Sequence, residues 1–324
     1  MPVRAPLPPW DLLLALAVVV LWGLSFPVTE GALSALPPLL VAGLRFALVA
    51  LCCLFVPRPE VPWRWILLVG LFTATGQYGL LYLGMSAGMP SGLSALVIQA
   101  QVPLTIVVAA VVLKERPTPR RLAGLAISTL GLLLVGLTRG GSIPASALLL
   151  VLGAAASWSV GNVCTRVAPF AQKRPSNGFR LIIWASLVPP LPLFALSLTQ
   201  AIPGGRGRGV HAEWDALAAT GSRAWLTLAY LVVLGTIAGM SGWTYLLGKY
   251  PADRVTPYAL GIPVVALLLS RVLVNESISS RTLGACAIVL AGLTLVAFPT
   301  MPAKTTAAAA TNAVADAMAE EPAG

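Results

Sequence analysis

Charge is scarce in this sequence. Charged residues make up only 10% of the chain and hydrophobic residues 57%, whereas soluble domains are about a quarter charged. A water-soluble fold could not bury that much apolar surface. The composition therefore excludes an ordinary soluble domain and predicts a protein surrounded largely by lipid.

Groups that perform chemistry are also scarce. Histidine occurs once, at His211, and no acidic residue lies near the middle of an apolar run. Catalysis needs acids, bases or nucleophiles brought together. The cysteines lack the spacing of metal ligands and a plausible extracellular disulfide partner; they are Cys52, Cys53, Cys164 and Cys286. We therefore expect no enzyme, no catalytic residue, no metal and no cofactor.

Long apolar runs are abundant. A helix needs about 20 apolar residues to cross a bilayer, and about ten runs reach that length. They lack the alternation of a membrane β-barrel, so the backbone must satisfy its own hydrogen bonds as helices. We predict an all-α membrane protein with spans near residues 11–29, 36–56, 65–86, 91–113, 121–138, 145–165, 180–200, 224–247, 255–274 and 282–299.

The net charge of +10 can be explained without nucleic acid. If the N-terminus faces the cytoplasm and the spans are even in number, most basic residues fall on the cytoplasmic side, which is the usual bias. The predicted partner of this basic surface is the anionic face of the lipid bilayer. We therefore expect both termini to be cytoplasmic and no nucleic-acid binding. The densest basic cluster is Lys114, Arg116, Arg120 and Arg121.

The chain has a weak internal repeat. At one constant offset, Glu115 aligns with Glu276 and Gly131 aligns with Gly292. This indicates a duplication of five helices, and because five is odd, the halves must enter the membrane in opposite directions. We predict a first repeat over residues 1–140, a second over 141–302 and a disordered cytoplasmic tail over 303–324.

Uncharged polar and aromatic residues are spread over the predicted spans. Amide side chains in hydrocarbon need partners, which helix-to-helix hydrogen bonds or a wet cavity can provide. Both interpretations are open for any one residue, and their gathering in both halves favours a cavity. The candidate substrate-binding residues are Trp22, Ser25, Gln77, Tyr78, Gln99, Gln101, Trp158, Asn162, Trp243 and Tyr258.

Arg45 is the one charge well inside a predicted span. A charge exposed to hydrocarbon costs about 3 kcal/mol on insertion scales, so Arg45 must face protein or water. We predict Glu30 as its partner in a structural ion pair. Contact with a substrate carboxylate, or a role in gating, is the alternative.

A set of short motifs in a fixed order resembles one transporter family. They are Trp22-Gly23-Leu24-Ser25-Phe26, Gly43-Leu44-Arg45-Phe46, Gly88-Met89-Pro90-Ser91-Gly92-Leu93, Gln99-Ala100-Gln101, Trp158 with Gly161-Asn162, and Arg254-Val255-Thr256-Pro257. Together they are similar to the EamA-type family of the drug/metabolite transporter superfamily, and within it to exporters of O-acetylserine and cysteine. The resemblance implies ten helices in two inverted halves, an inner-membrane location and a central cavity that opens alternately to either side.

These observations give one expected function and two alternatives. We expect an exporter of small polar metabolites, with amino acids or their derivatives as the small-molecule substrate. Aromatic walls would contact an ammonium, and amides would orient a carboxylate. The alternatives are a transporter of organic cations, drugs or nucleotide-like metabolites, and a membrane receptor or scaffold. The oligomeric state is not determined by the sequence.

Overall fold

The structure is a computed structural model that describes residues 7–138, 143–170, 177–199, 209–250, 252–276 and 279–297. Within these ranges the secondary structure is helical and contains no strand. The all-α prediction is therefore confirmed for the described part of the chain. The predicted tail lies outside the described residues, as does most of the glycine-rich part of the long loop.

Within the described ranges, ten long helical segments follow the apolar runs of the sequence. Seven of them are long and apolar enough to cross a membrane, while the ten-span count and the side of each terminus stay predictions. A short helix over Val210–Ala218 precedes the eighth segment. The ten are α1 Pro9–Leu33, α2 Pro38–Leu54, α3 Trp63–Ser86, α4 Ser91–Val112, α5 Pro119–Thr138, α6 Ala145–Val167, α7 Asn177–Ser197, α8 Ser222–Lys249, α9 Thr256–Leu273 and α10 Ser280–Ala297.

Prolines coincide with local changes of helix geometry. In α4 the turn Ile98–Ala100 is a 3-10 helix, and Pro103 follows it without an N–H for the Gln99 carbonyl. The first turns of α9, Thr256–Leu260, are also 3-10 and contain a proline. The 3-10 turn in α4 contains Gln99 and ends next to Gln101, so it affects the direction of two candidate site residues.

Helices α3 and α8 each contain a π-helical stretch, Gly70–Gly76 and Tyr230–Ala238. In each stretch a threonine hydroxyl donates to the carbonyl five residues earlier, over 3.2 Å for Thr75 and 2.9 Å for Thr236. Thr75 and Thr236 are separated in the sequence by the same number of residues as Gly131 and Gly292, so they occupy equivalent positions of the predicted repeats. Such π-helical turns often lie at functional sites, and both stretches here border the central cavity.

The closest helix packing follows a simple rule. Helix α5 packs on α10, α2 on α7 and α4 on α9, while α1 contacts α8 and α9 and α6 contacts α3 and α4. If each helix is replaced by its counterpart in the other half, α1 by α6, α2 by α7 and so on, the same set of packed pairs results. The two halves therefore build one bundle together rather than two separate bundles.

Candidate functional site

A central cavity of about 1120 Å³ lies between helices from both halves of the chain. Its size is close to the upper end of ordinary ligand pockets. The structure brings together nine of the ten predicted substrate-binding residues, and Arg45 with them, in the cavity lining. These nine are Trp22, Ser25, Gln77, Tyr78, Gln99, Gln101, Trp158, Asn162 and Trp243.

Amide groups form one wall of the cavity. The Asn162 side chain on α6 donates to Gln101 Oε1 over 2.8 Å and approaches Thr105 Oγ1 at 3.4 Å. Gln77 on α3 is only 5% exposed, and its Oε1 has no hydrogen-bond partner among the described residues. An unpaired buried carbonyl is costly, so Gln77 is ready to accept a hydrogen bond from a bound molecule or water.

Aromatic rings form a second wall. The rings of Trp22 on α1 and Trp243 on α8 lie with their centroids 5.3 Å apart. The Trp22 indole donates from Nε1 over 2.9 Å to the carbonyl of Gly235, which lies in the π-helical stretch of α8. This bond fixes the ring while its faces contribute apolar surface to the cavity.

Arg45 on α2 is held by residues of two other helices, α3 and α8, and is only 4% exposed. Its Nη1 donates to the Tyr82 hydroxyl over 2.8 Å, and its Nε and Nη2 donate to Thr236 Oγ1 over 3.1 and 2.9 Å. The guanidinium also lies 4.5 Å from the centroid of the Tyr78 ring. All of these partners are neutral, although the group borders the cavity.

The predicted ion pair between Arg45 and Glu30 is wrong. Both residues are described, and no contact within ion-pair distance joins them. Glu30 lies near the end of α1 and lines a separate space of about 360 Å³ together with Glu276. Glu30 lies in the last turn of α1, whereas Arg45 lies about two turns into α2, so the two side chains are at different depths in the bundle.

Tyr258 is the one predicted substrate-binding residue outside the cavity lining. It packs beside Trp243 against the apolar cluster that contains Leu246 and Val255. Its position in the 3-10 turn at the start of α9 directs it to this cluster. A sequence pattern read as a regular α-helix does not anticipate that change.

The cavity reaches the surface at one end, which we call the basic mouth. Its residues are Glu115, Arg116, Arg120, Arg121 and Arg166. Arg166 and Glu115 form a bidentate pair there, with bonds of 2.9 and 2.6 Å, and their side chains are 58% and 40% exposed. Water and small solutes can therefore enter the cavity from this end.

The opposite end is closed where α4 meets α9. The Ser91 and Ser270 hydroxyls lie 3.0 Å apart and are fully buried. Glu276 Oε2 accepts the Gly92 N–H over 2.8 Å, and burial raises the pKa of the Glu276 carboxyl even though this bond acts in the other direction. In addition, α1 packs on the first turns of α4, while no comparable contact joins α6 and α9 within the described residues.

Several residues of the site were missed by sequence reasoning. Tyr82 and Thr236 hold Arg45, and Thr105 approaches Asn162. Tyr82 could have been found, because it lies one helical turn after Tyr78 on the same face. The threonines carry no such signal, since hydroxyl side chains are common in membrane helices and usually bond to their own backbone.

A helical bundle with a polar cavity open at one end defines a membrane transporter rather than a compact structural bundle. The sequence model of the EamA-like transporter family matches residues 9–137 and 145–298. The two matched ranges include nearly all of the helical bundle. The chain therefore belongs to the EamA-like transporter family.

Named relatives agree with this family. The chain is 38% identical to a probable amino-acid metabolite efflux pump of Salmonella typhimurium over 291 residues, covering 89% of this chain and 95% of that protein. It is 36% identical to a protein of the same name from Escherichia coli, with the same coverage. One solved crystal structure shares the fold with a TM-score of 0.57 at 19% identity, covering 88% of this chain and 96% of the other.

Proposed function

We propose that this protein is an alternating-access exporter of amino acids or their derivatives, such as cysteine and O-acetylserine, in the inner membrane. The observation that carries the proposal is that nine polar and aromatic residues from both halves line one cavity, which extends to the exposed residues of the basic mouth. The names of the two relatives at 38% and 36% identity support the substrate class.

We further propose that residues 1–140 and 141–302 are inverted repeats with both termini in the cytoplasm. The separate family matches to 9–137 and 145–298 support this division, as do the closest helix pairs, which are the same when the halves are exchanged. In this arrangement the basic mouth faces the cytoplasm. The conformation is then the one that loads substrate before export.

Alternating access follows from the two different ends of the cavity. The equivalent turns around Glu115 and Glu276 both place the preceding residue, Lys114 or Asn275, in a left-handed conformation with φ of 55° and 54°. Glu276 is bound to the start of α4, whereas Glu115 is exposed beside Arg166. We infer that export requires the contact between α4 and α9 to open while the basic mouth closes.

The purified protein in proteoliposomes tests the proposed activity. We expect saturable flux of labelled cysteine or O-acetylserine well above that of protein-free liposomes, and competition by other amino-acid derivatives. Nucleosides and organic cations should not compete. Flux of neither amino acid, together with flux of an organic cation, would contradict the proposed substrate class.

A further inference from the structure

We propose that Arg45 binds the carboxylate of the transported molecule, and that the cavity therefore selects amino-acid metabolites with a net negative charge. N-acylated amino acids are the chemical class that fits, because acylation removes the ammonium and keeps the carboxylate. This inference rests on the proposed transport function and names the substrate charge that the same cavity accepts.

The first reason is the missing counter-charge of Arg45. A buried guanidinium is costly unless an anion compensates it. Its partners are the neutral hydroxyls of Tyr82 and Thr236, and no carboxylate within the described residues lies at ion-pair distance. An anion that arrives from the cavity would supply the missing charge.

The second reason is the geometry of the guanidinium. A guanidinium has five N–H groups in a planar fork, and three of them are used in the bonds to Tyr82 and Thr236. The remaining two lie on Nη1 and Nη2, so each terminal nitrogen keeps one N–H that can donate to a carboxylate oxygen. Hydrogen bonds to α3 and α8 hold the Arg45 side chain in place, so its immobilisation on binding costs little conformational entropy.

The third reason is the absence of a site for an ammonium. Among the described residues that line the cavity, the only carboxylate is Glu115, and it is paired with Arg166 at the mouth. The Tyr78 ring, which could have received a cation on its face, already has the Arg45 guanidinium 4.5 Å from its centroid. A free ammonium would therefore enter a cavity lined by positive charge.

The amide of an acylated amine has a partner instead. Gln77 Oε1 is buried and unpaired among the described residues, so it can accept the amide N–H. The tryptophan pair Trp22 and Trp243 offers apolar surface for the acyl group and side chain. The arginines of the basic mouth raise the local concentration of anions at the entrance.

Three molecules that differ in charge test the inference without any mutation. Uptake of labelled N-acetylserine, serine and ethanolamine into proteoliposomes is compared with uptake into protein-free liposomes. We expect N-acetylserine to enter at least about tenfold faster than serine, because the ammonium of serine finds no unpaired anion among the described residues of the cavity, and we expect ethanolamine, which has no carboxylate, to stay at background. Serine transport equal to or faster than that of N-acetylserine would overturn the inference and leave transport of amino acids intact.

Variants then assign the selectivity to Arg45. Arg45→Gln should reduce N-acetylserine uptake at least about tenfold and abolish the preference over serine, whereas Arg45→Lys should retain part of it because the charge remains. Arg223→Gln, which removes an exposed arginine at the start of α8, is the matched control and should transport normally. An unchanged preference in folded Arg45→Gln protein would overturn the inference. Flux of none of these three molecules, and of neither cysteine nor O-acetylserine, in the wild type would instead overturn the proposed transport function.

Discussion

A disulfide between positions 91 and 270 is expected to stop transport completely and reversibly. The Ser91 and Ser270 hydroxyl oxygens lie 3.0 Å apart, so cysteines at both positions fall within reach of a disulfide. The bond would tie α4 to α9 at the closed end of the cavity. In Ser91→Cys/Ser270→Cys protein whose native cysteines are replaced by alanine, oxidant should reduce flux to the level of empty liposomes. Reductant should restore it.

A second cysteine pair provides the control. The Ser279 and Thr282 side-chain oxygens lie 2.9 Å apart, but both belong to the start of α10. A disulfide in Ser279→Cys/Thr282→Cys protein constrains one helical turn and no contact between helices, so oxidant should leave its flux unchanged. Undiminished transport by fully cross-linked Ser91→Cys/Ser270→Cys protein, as judged by mass spectrometry, would show that this end does not open.

Gly292→Ala is expected to lower the stability of the fold. A Cβ at Gly292 would lie 2.4 Å from the Ser128 nitrogen and 2.8 Å from the Gly124 carbonyl oxygen. Both are backbone atoms of α5, so a side-chain rotation cannot remove the clash, and overpacking of this kind costs about 1 to 3 kcal/mol. We expect a lower midpoint of thermal unfolding in detergent and less protein in the membrane.

Gly284→Ala is the matched control in the same helix. Nothing lies within 4 Å of a Cβ at Gly284, and alanine favours helix more than glycine does. This variant should unfold at the wild-type temperature or slightly above it. Equal unfolding temperatures for Gly292→Ala and Gly284→Ala would contradict the close crossing of α5 and α10.

Sequence reasoning was most successful where lipid imposes a simple rule. Apolar runs predicted the helices because backbone groups in hydrocarbon must bond within their own segment. Gly131 and Gly292, which were aligned as equivalent repeat positions, both lie where α5 and α10 pack closely, Gly131 beside Val289 and Gly292 beside Ser128. The ten-span count and the orientation of the termini stay predictions, because helix length alone does not determine which segments cross the bilayer.

The cavity residues were predictable for a related reason. Amide and indole groups such as those of Gln101, Asn162 and Trp22 avoid lipid, so their common location was expected. The partners of Arg45 were not predictable. Glu30 was the predicted acidic partner, but the folded chain does not bring the two side chains together. The partner Thr236 depends on a π-helical turn and on packing of α2 against α8, and neither has a signature in the sequence.

The most direct test of alternating access is labelling of one cavity position from each side of the membrane. Met240 lines the cavity, and Met240→Cys in a chain with its native cysteines replaced can be exposed to a membrane-impermeant maleimide in oriented vesicles. We predict labelling from the basic-mouth side without substrate, and labelling from both sides during transport. Labelling from one side only, while substrate still crosses the membrane, would contradict the proposed mechanism.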